Sequence, residues 1–305
     1  MADGSLAIIT GPTAAGKSAL ALALAERTGA TIVSADSRQL YRGFDIGTAK
    51  PSAAERARVS HRGLDAADPR ERWSAARWAV AAAGWIDEAR AAGRPVIVVG
   101  GTGFYVQALV APLASTPPLD AARRAALDAV IDAWPTPELR RHAAALDPSR
   151  AHLGRAQLKR AIETALLNGT RLSDAFVTSA AVGRWSARYL VVDPGAVLAA
   201  RIERRVDAML AAGWVDEVRT LMASTDEDAL AWNACGYAAL RAHVAGALPL
   251  ATARDRVVVA TRQYAKRQRT WIRHQLPPTT VTRLDPATPD ADARVMDWFR
   301  DGEGA

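Results

Sequence analysis

Residues Gly11, Pro12, Thr13, Ala14, Ala15, Gly16, Lys17 and Ser18 satisfy the pattern G-x-x-x-x-G-K-[ST] at every fixed position. An apolar run of strand length, Leu6 to Thr10, precedes them, and a helical pattern from Ala19 to Thr28, closed by Gly29, follows. Strand, loop and helix in that order predict a phosphate cradle, in which backbone N–H groups turn inward around an anion. Lys17 brings a point charge to the terminal phosphates. The Ser18 hydroxyl is placed to hold Mg²⁺, and the helix N-terminus adds its partial positive charge. The cradle predicts bound phosphates without saying whose.

Further strand-length apolar runs occur at Thr31 to Val33, Pro95 to Val99 and Tyr189 to Val192, separated by helical patterns. The alternation predicts an α/β fold: a P-loop NTPase-like parallel sheet flanked by helices. Ser74 is a natural N-cap for one connecting helix, with Trp78, Ala82, Trp85 and Ala89 on one face and Gly93 as its stop. From about Pro112 to Val182 no strand is expected. Helices there are punctuated by Pro117, Pro118, Pro135, Pro137 and Pro148, which predicts an all-helical insertion. The expected organisation is a discontinuous catalytic core, 1–114 and 185–280, a helical insertion, 115–184, and a C-terminal tail, 281–305. Long helices are predicted over Val197 to Ala212 and Ala251 to His274.

With 305 residues, half of them hydrophobic, the chain supports a core domain and a smaller unit. Cys235 is the sole cysteine, so neither a disulfide framework nor a cysteine zinc site is available, which fits a reducing compartment. No window approaches the length of a membrane span, and no basic segment precedes Leu6 to Ile9. A soluble, cytoplasmic, monomeric protein without membrane association is expected. A net charge of +7 and a pI near 10.0 point to a polyanionic partner, although surplus arginine also serves as ordinary surface.

Parallel sheets present their crevice outside the carboxyl ends of the strands. Ser34-Ala35-Asp36-Ser37 follows one strand there, and Asp36 is placed to act as a base or as a metal partner. Gly100-Gly101-Thr102-Gly103 follows another; its glycines allow close backbone approach and Thr102 offers a hydroxyl. Arg262, Lys266, Arg269 and Arg273 recur at helical intervals as a basic stripe, with Val257, Ala260, Tyr264 and Trp271 on the opposite face as packing residues. These features also suit a small-molecule or nucleotide kinase with Asp36 or Asp193 on its metal, or an RNA-binding protein without catalysis.

Several longer runs carry a resemblance. Asp36 and its neighbours are followed by Tyr41, Asp45-Ile46-Gly47-Thr48-Ala49-Lys50-Pro51, His61, Leu64-Asp65, Trp73-Ser74-Ala75 and Val99-Gly100-Gly101-Thr102-Gly103-Phe104-Tyr105. Arg160-Ala161-Ile162-Glu163, Arg201 to Arg205, Cys235-Gly236-Tyr237 and Thr261-Arg262-Gln263-Tyr264-Ala265-Lys266-Arg267-Gln268 continue the series. In this order, over most of its length, the chain resembles the tRNA dimethylallyltransferase family.

The resemblance implies transfer of a dimethylallyl group from dimethylallyl diphosphate to N6 of adenosine 37, immediately 3′ of a tRNA anticodon. Gly11 to Ser18 and Arg205 would hold the donor diphosphate, assisted by Mg²⁺ on Ser18. Asp36 would take a proton from the exocyclic amine, and Thr102 would stabilise the departing diphosphate. The target base would leave its stack and enter the core, where water is excluded. Implied tRNA contacts are Asp36, Ser37, Arg38, Gln39, Thr102, Asn233, Gly236, Tyr237, Lys266, Arg267, Gln268 and Arg273. Arg124, Ala156, Gln157, Leu158, Lys159 and Arg160 of the insertion would grip the anticodon stem-loop. The chain departs from the family pattern at His152-Leu153-Gly154-Arg155-Ala156, where a His-Pro-Asn-Asp-like run is usual, and at Gln157 and Asn233, where arginine is common. His61 is expected to be structural or substrate-lining.

Overall fold

Sequential apolar runs become sheet layers in the computed structural model, which describes residues 5–111, 119–174 and 184–302. The first segment builds β1 (Leu6–Thr10), α1 (Lys17–Thr28), β2 (Thr31–Ser34), α2 (Ala53–Arg58), β3 (His61–Arg62), α3 (Ala75–Ala91), β4 (Val96–Val99) and α4 (Gly103–Val110). The second contains α5 (Ala121–Ile131), α6 (Thr136–Leu146) and α7 (Arg155–Asn168). The last supplies β5 (Ala187–Val192), α8 (Leu198–Ala211), α9 (Trp214–Ser224), α10 (Tyr237–Val244), α11 (Leu250–Gln275), β6 (Val281–Leu284) and α12 (Ala291–Arg300). The chain divides into two compact units, Met1–Val110 with Arg184–Ala305, and Ala111–Gly183.

In the first unit six strands lie in the order β3-β2-β4-β1-β5-β6, and every pairing is parallel. Register places Ala7 beside Ile97 and Arg188, and Val33 beside Val98. The strands read as unbroken apolar runs because both faces are covered. Leu6, Ile8, Val33 and Val98 face one layer, with Trp78, Ala82 and Ile86 of α3. Ala7, Ile9, Ile32, Ile97 and Val99 face the other, with Ala21 and Leu24 of α1. Ser74 accepts the Arg77 N–H and starts α3 as its sequence predicts, although Ile86 rather than Trp85 completes the buried stripe.

The C-terminal segment corrects the expectation of a tail. Val281–Leu284 pairs with β5 as the edge strand, and Val295, Met296 and Phe299 of α12 join the α1 layer. Only Leu284 of that strand is buried, so its sequence shows little strand patterning. The two-residue β3 has no apolar run of its own to mark it and is held by pairing to β2.

The second unit has its own core of Ile131, Leu139, Ala143, Leu158 and Ile162. Asp120 caps α5 by accepting the Arg123 N–H, and Pro135 and Pro137 mark the start of α6. The prolines thus open helices where they need no backbone donor. Pro117 and Pro118 lie outside the described residues. No helix among the described residues is long and apolar enough to cross a membrane.

Candidate active site

Strand order decides which loops meet. Because β2, β4 and β1 are neighbours, the segments after them, around Asp36, Thr102 and the cradle, emerge side by side at one edge of the sheet. Backbone hydrogen bonds fasten them together: Ala35 N–H to Val99 O (2.7 Å), Gly100 N–H to Ile9 O (3.1 Å) and Thr102 N–H to Ala35 O (3.2 Å). Thr102 Oγ1 also accepts the Ser37 N–H at 3.1 Å, while Asp36 Oδ1 accepts the Arg38 N–H at 2.8 Å.

Gly16 caps α1 with φ 102°, a backbone region costly for other residues. Lys17 opens that helix, and its Nζ donates to Pro12 O at 2.8 Å. Burial, reinforced by the nearby Arg205 cation, lowers the Lys17 pKa to about 8, with Asp36 opposing the shift. The exposed Ser18 sits in the first turn. Arg205, on α8, also has its pKa lowered by burial, again opposed by Asp36, and pairs with no carboxylate among the described residues. Two buried cations therefore stand at the cradle with the Asp36 carboxylate as their shared counter-charge.

Two cavities share Thr13, Asp36 and Arg205 in their walls. One, of about 220 Å³, is lined by Lys17, Ser18, Lys50 and Gly101 and is the cationic compartment. The other, of about 60 Å³, has an apolar wall of Ile202, Val206, Met209, Trp214 and Val257 facing polar groups that include Asp36, Arg38 and Arg205. Tyr264 also lines the smaller cavity; burial first, then the Asp36 carboxylate, raises its pKa and keeps the phenol neutral. A carboxylate, a guanidinium and a lysine where an anion compartment meets a cavity with an apolar wall can bind a phosphorylated apolar group and take up a proton beside it.

Distant residues brace this site in ways the sequence did not reveal. Lys50, whose side chain is 1 % exposed, donates to Tyr41 O (2.6 Å), Asp45 Oδ1 (2.6 Å) and Asp65 Oδ1 (2.5 Å). Glu217 of α9 accepts the N–H groups of Asp45 (2.9 Å), Ile46 (2.6 Å) and Gly47 (3.3 Å). No local signal marks Glu217, because its partners lie about 170 residues earlier. His61 lines the larger cavity and engages Val59 O at 2.8 Å through Nδ1.

The implied tRNA contacts divide. Lys266, Arg267, Arg273 and Asn233 have exposed side chains, and Ser37 and Arg38 are half-buried beside Asp36. Arg262 pairs with Glu203, and Arg269 pairs with Asp193, so half of the predicted basic stripe is neutralised. That pairing also removes Asp193 as a free metal partner. Three of the implied contacts have buried side chains, Leu158, Tyr237 and Gln268, at 0 %, 0 % and 6 % exposure. Leu158 packs in the insertion core, Tyr237 donates to Glu217 Oε1 at 2.6 Å, and Gln268 bonds to Thr13 and Gly101 in the wall of the larger cavity. Gln39 is also turned inward, with Nε2 donating to Ala49 O at 3.0 Å and Oε1 accepting the Ser34 hydroxyl.

In the insertion, Arg124 and Arg160 pair with Glu163, at 3.0 and 3.4 Å, and Lys159 pairs with Asp132 at 2.5 Å. Ala156 is exposed, and exposed Gln157 accepts its own helix's Gly154 N–H at 3.1 Å. Gly236 is half-buried ahead of α10. These cations carry local carboxylate partners that any anion must compete with.

A model of IPP transferase matches residues 39–275, and one of isopentenyl transferase matches residues 4–65. The chain belongs to the IPP transferase family. Among members of this family, a tRNA dimethylallyltransferase of Anaeromyxobacter sp. (strain Fw109-5) is 45 % identical over 276 residues, covering 88 % of this chain and 92 % of that one. The solved tRNA isopentenylpyrophosphate transferase of Bacillus halodurans is 32 % identical with a TM-score of 0.69, covering 99 % and 96 % of the two chains. A eukaryotic dimethylallyltransferase acting on tRNA shares the fold at 23 % identity and a TM-score of 0.82, over 99 % of this chain and 80 % of that one. The IPP transferase assignment accounts for the DIGTAKP and TRQ-x-AKRQ runs, which a P-loop kinase leaves unexplained.

Proposed function

We propose that this protein transfers a dimethylallyl group from dimethylallyl diphosphate to N6 of the adenosine 3′ of the anticodon in tRNA, releasing diphosphate. The position of Asp36 carries the reading: it lines both cavities together with Arg205, near Lys17 and next to Ser37, whose N–H Thr102 accepts. In this scheme the diphosphate occupies the cradle, with Lys17 and Arg205 against its charge. The amine nitrogen attacks the allylic carbon, the carbon–oxygen bond to diphosphate breaks, and Asp36 accepts the proton lost from nitrogen. Lys17, Arg205 and the cradle N–H groups meet the charge that develops on the leaving oxygen, where preorganised charges act most strongly. With donor and base both bound, the filled junction would keep water from an electron-poor allylic centre.

Among the described residues no cluster of His, Cys, Asp or Glu is suited to a metal. Mg²⁺ commonly binds substrate phosphates with only one or two protein oxygens and several waters, a donor set that the exposed Ser18 hydroxyl beside the cradle fits. Bound there, Mg²⁺ would neutralise part of the diphosphate charge.

The deciding experiment incubates the protein with Mg²⁺, dimethylallyl diphosphate and unmodified tRNA, then digests the RNA for mass spectrometry. An adenosine heavier by one prenyl group is the expected product. Phosphorylation of a small acceptor from ATP, with no adduct on RNA, would replace this reading with a kinase.

A further inference from the structure

Gln268 points away from the exposed basic face of α11 and into the active site. Its Nε2 donates to Gly101 O at 2.9 Å, and its Oε1 accepts the Thr13 N–H at 2.7 Å. One buried amide thus joins the cradle to the loop that carries Thr102. Gly101 permits the contact: a Cβ there would lie 2.1 Å from Nε2.

We propose that Gln268 is a positioning residue, setting the distance between the bound diphosphate and the Asp36–Thr102 side of the reaction; this rests on the prenyl-transfer reading. The two loops present opposite needs, a donor at Thr13 and an acceptor at Gly101, and a primary amide satisfies both at once. Leucine would leave both groups without their protein partner in the wall of the larger cavity. Glutamate would keep the bond to Thr13 but set a negative oxygen against the Gly101 carbonyl. The Thr13 N–H is committed to Gln268, so it braces the cradle, leaving later N–H groups for phosphate. Lys266 and Arg267, the exposed neighbours of Gln268, put this brace on the helix that presents cations outward.

The test compares the full-length protein with Gln268→Leu, Gln268→Glu and Gln268→Asn, whose shorter amide cannot span both loops. Measured are kcat and donor KM for prenyl transfer, the Kd for inorganic diphosphate, and hydrogen exchange at the Thr13 amide. A misplacement of about 1 Å can cost about 100-fold in rate, so kcat is expected to fall by about that factor while the diphosphate Kd of Gln268→Leu and Gln268→Asn stays within about threefold. Thr13 exchange should quicken in Gln268→Leu. Any folded variant of the three with kcat within about threefold of the parent overturns the proposal. A diphosphate Kd weakened as much as kcat in Gln268→Leu or Gln268→Asn also overturns it, by making Gln268 a ligand. If the parent itself forms no prenylated RNA, the prenyl-transfer reading fails; unchanged Thr13 exchange would separately refute the brace.

Discussion

Tyr237 donates its hydroxyl to Glu217 Oε1 at 2.6 Å, and the same carboxylate accepts the N–H groups of Asp45 and Ile46 at 2.9 and 2.6 Å. Burial, then the Glu217 charge, raises the Tyr237 pKa, so the phenol remains a donor. One carboxylate thereby fixes the run that carries Thr48, Ala49 and Lys50 to the cavity walls. Hydrogen bonds to charged groups contribute about 1.5–3 kcal/mol each, so Glu217→Ala is expected to cost about 3 kcal/mol or more in urea unfolding. Tyr237→Phe, which removes one donor, should cost about 1–2 kcal/mol. Equal stability of Glu217→Ala and the parent would contradict this anchoring role.

Lys17 should make diphosphate binding pH-dependent. Its folded pKa, about 8, lies below the ordinary 10.5. Between those values the unfolded chain holds a proton that the folded chain has released, so this group's contribution to stability rises with pH across the window. A diphosphate beside Lys17 favours the charged amine, so binding takes up a proton near and above pH 8 and weakens as pH rises further. Calorimetry in two buffers of different ionisation enthalpy measures that uptake. Binding with no proton exchange would count against the shift.

Asp36→Ala is expected to retain tRNA binding and lose prenyl transfer by about 10²- to 10⁴-fold, the usual range for a general base. Single-turnover rates with saturating RNA separate the two effects. Undiminished transfer would remove Asp36 from this role.

Lys266 and Arg273 carry no ion pair among the described residues, whereas Arg269 is held by Asp193 at 2.5 Å. Each free cation on a phosphate adds roughly 0.7–0.9 to the salt slope of binding. Lys266→Ala with Arg273→Ala should therefore flatten the slope of log K against log salt by about 1.5, with little sequence preference. An unchanged slope would place the RNA away from this face of α11.

Phe299, 2 % exposed in the α1 layer, tests the corrected C-terminal segment. Phe299→Ala should cost about 3–5 kcal/mol, as large-to-small changes do in packed cores. A cost below about 1 kcal/mol would restore the picture of a tail.

The sequence alone determined the cradle, the loops bearing Asp36 and Thr102, and the parallel α/β class, because each is written in contiguous residues. A phosphate loop needs its glycines and lysine at fixed local spacing, and a fully covered strand needs an apolar run. Helix limits followed from caps such as Ser74 for the same reason. Tertiary structure alone decided that Gln268 meets Thr13 across 255 positions and that Glu217 meets Asp45 across 172. It also matched Arg124 and Lys159 with carboxylates, and turned Val281–Leu284 into an edge strand. Partners in such contacts are chosen by packing after the chain has folded back on itself. A buried amide and a solvent-facing one therefore look the same in sequence until their neighbours are known.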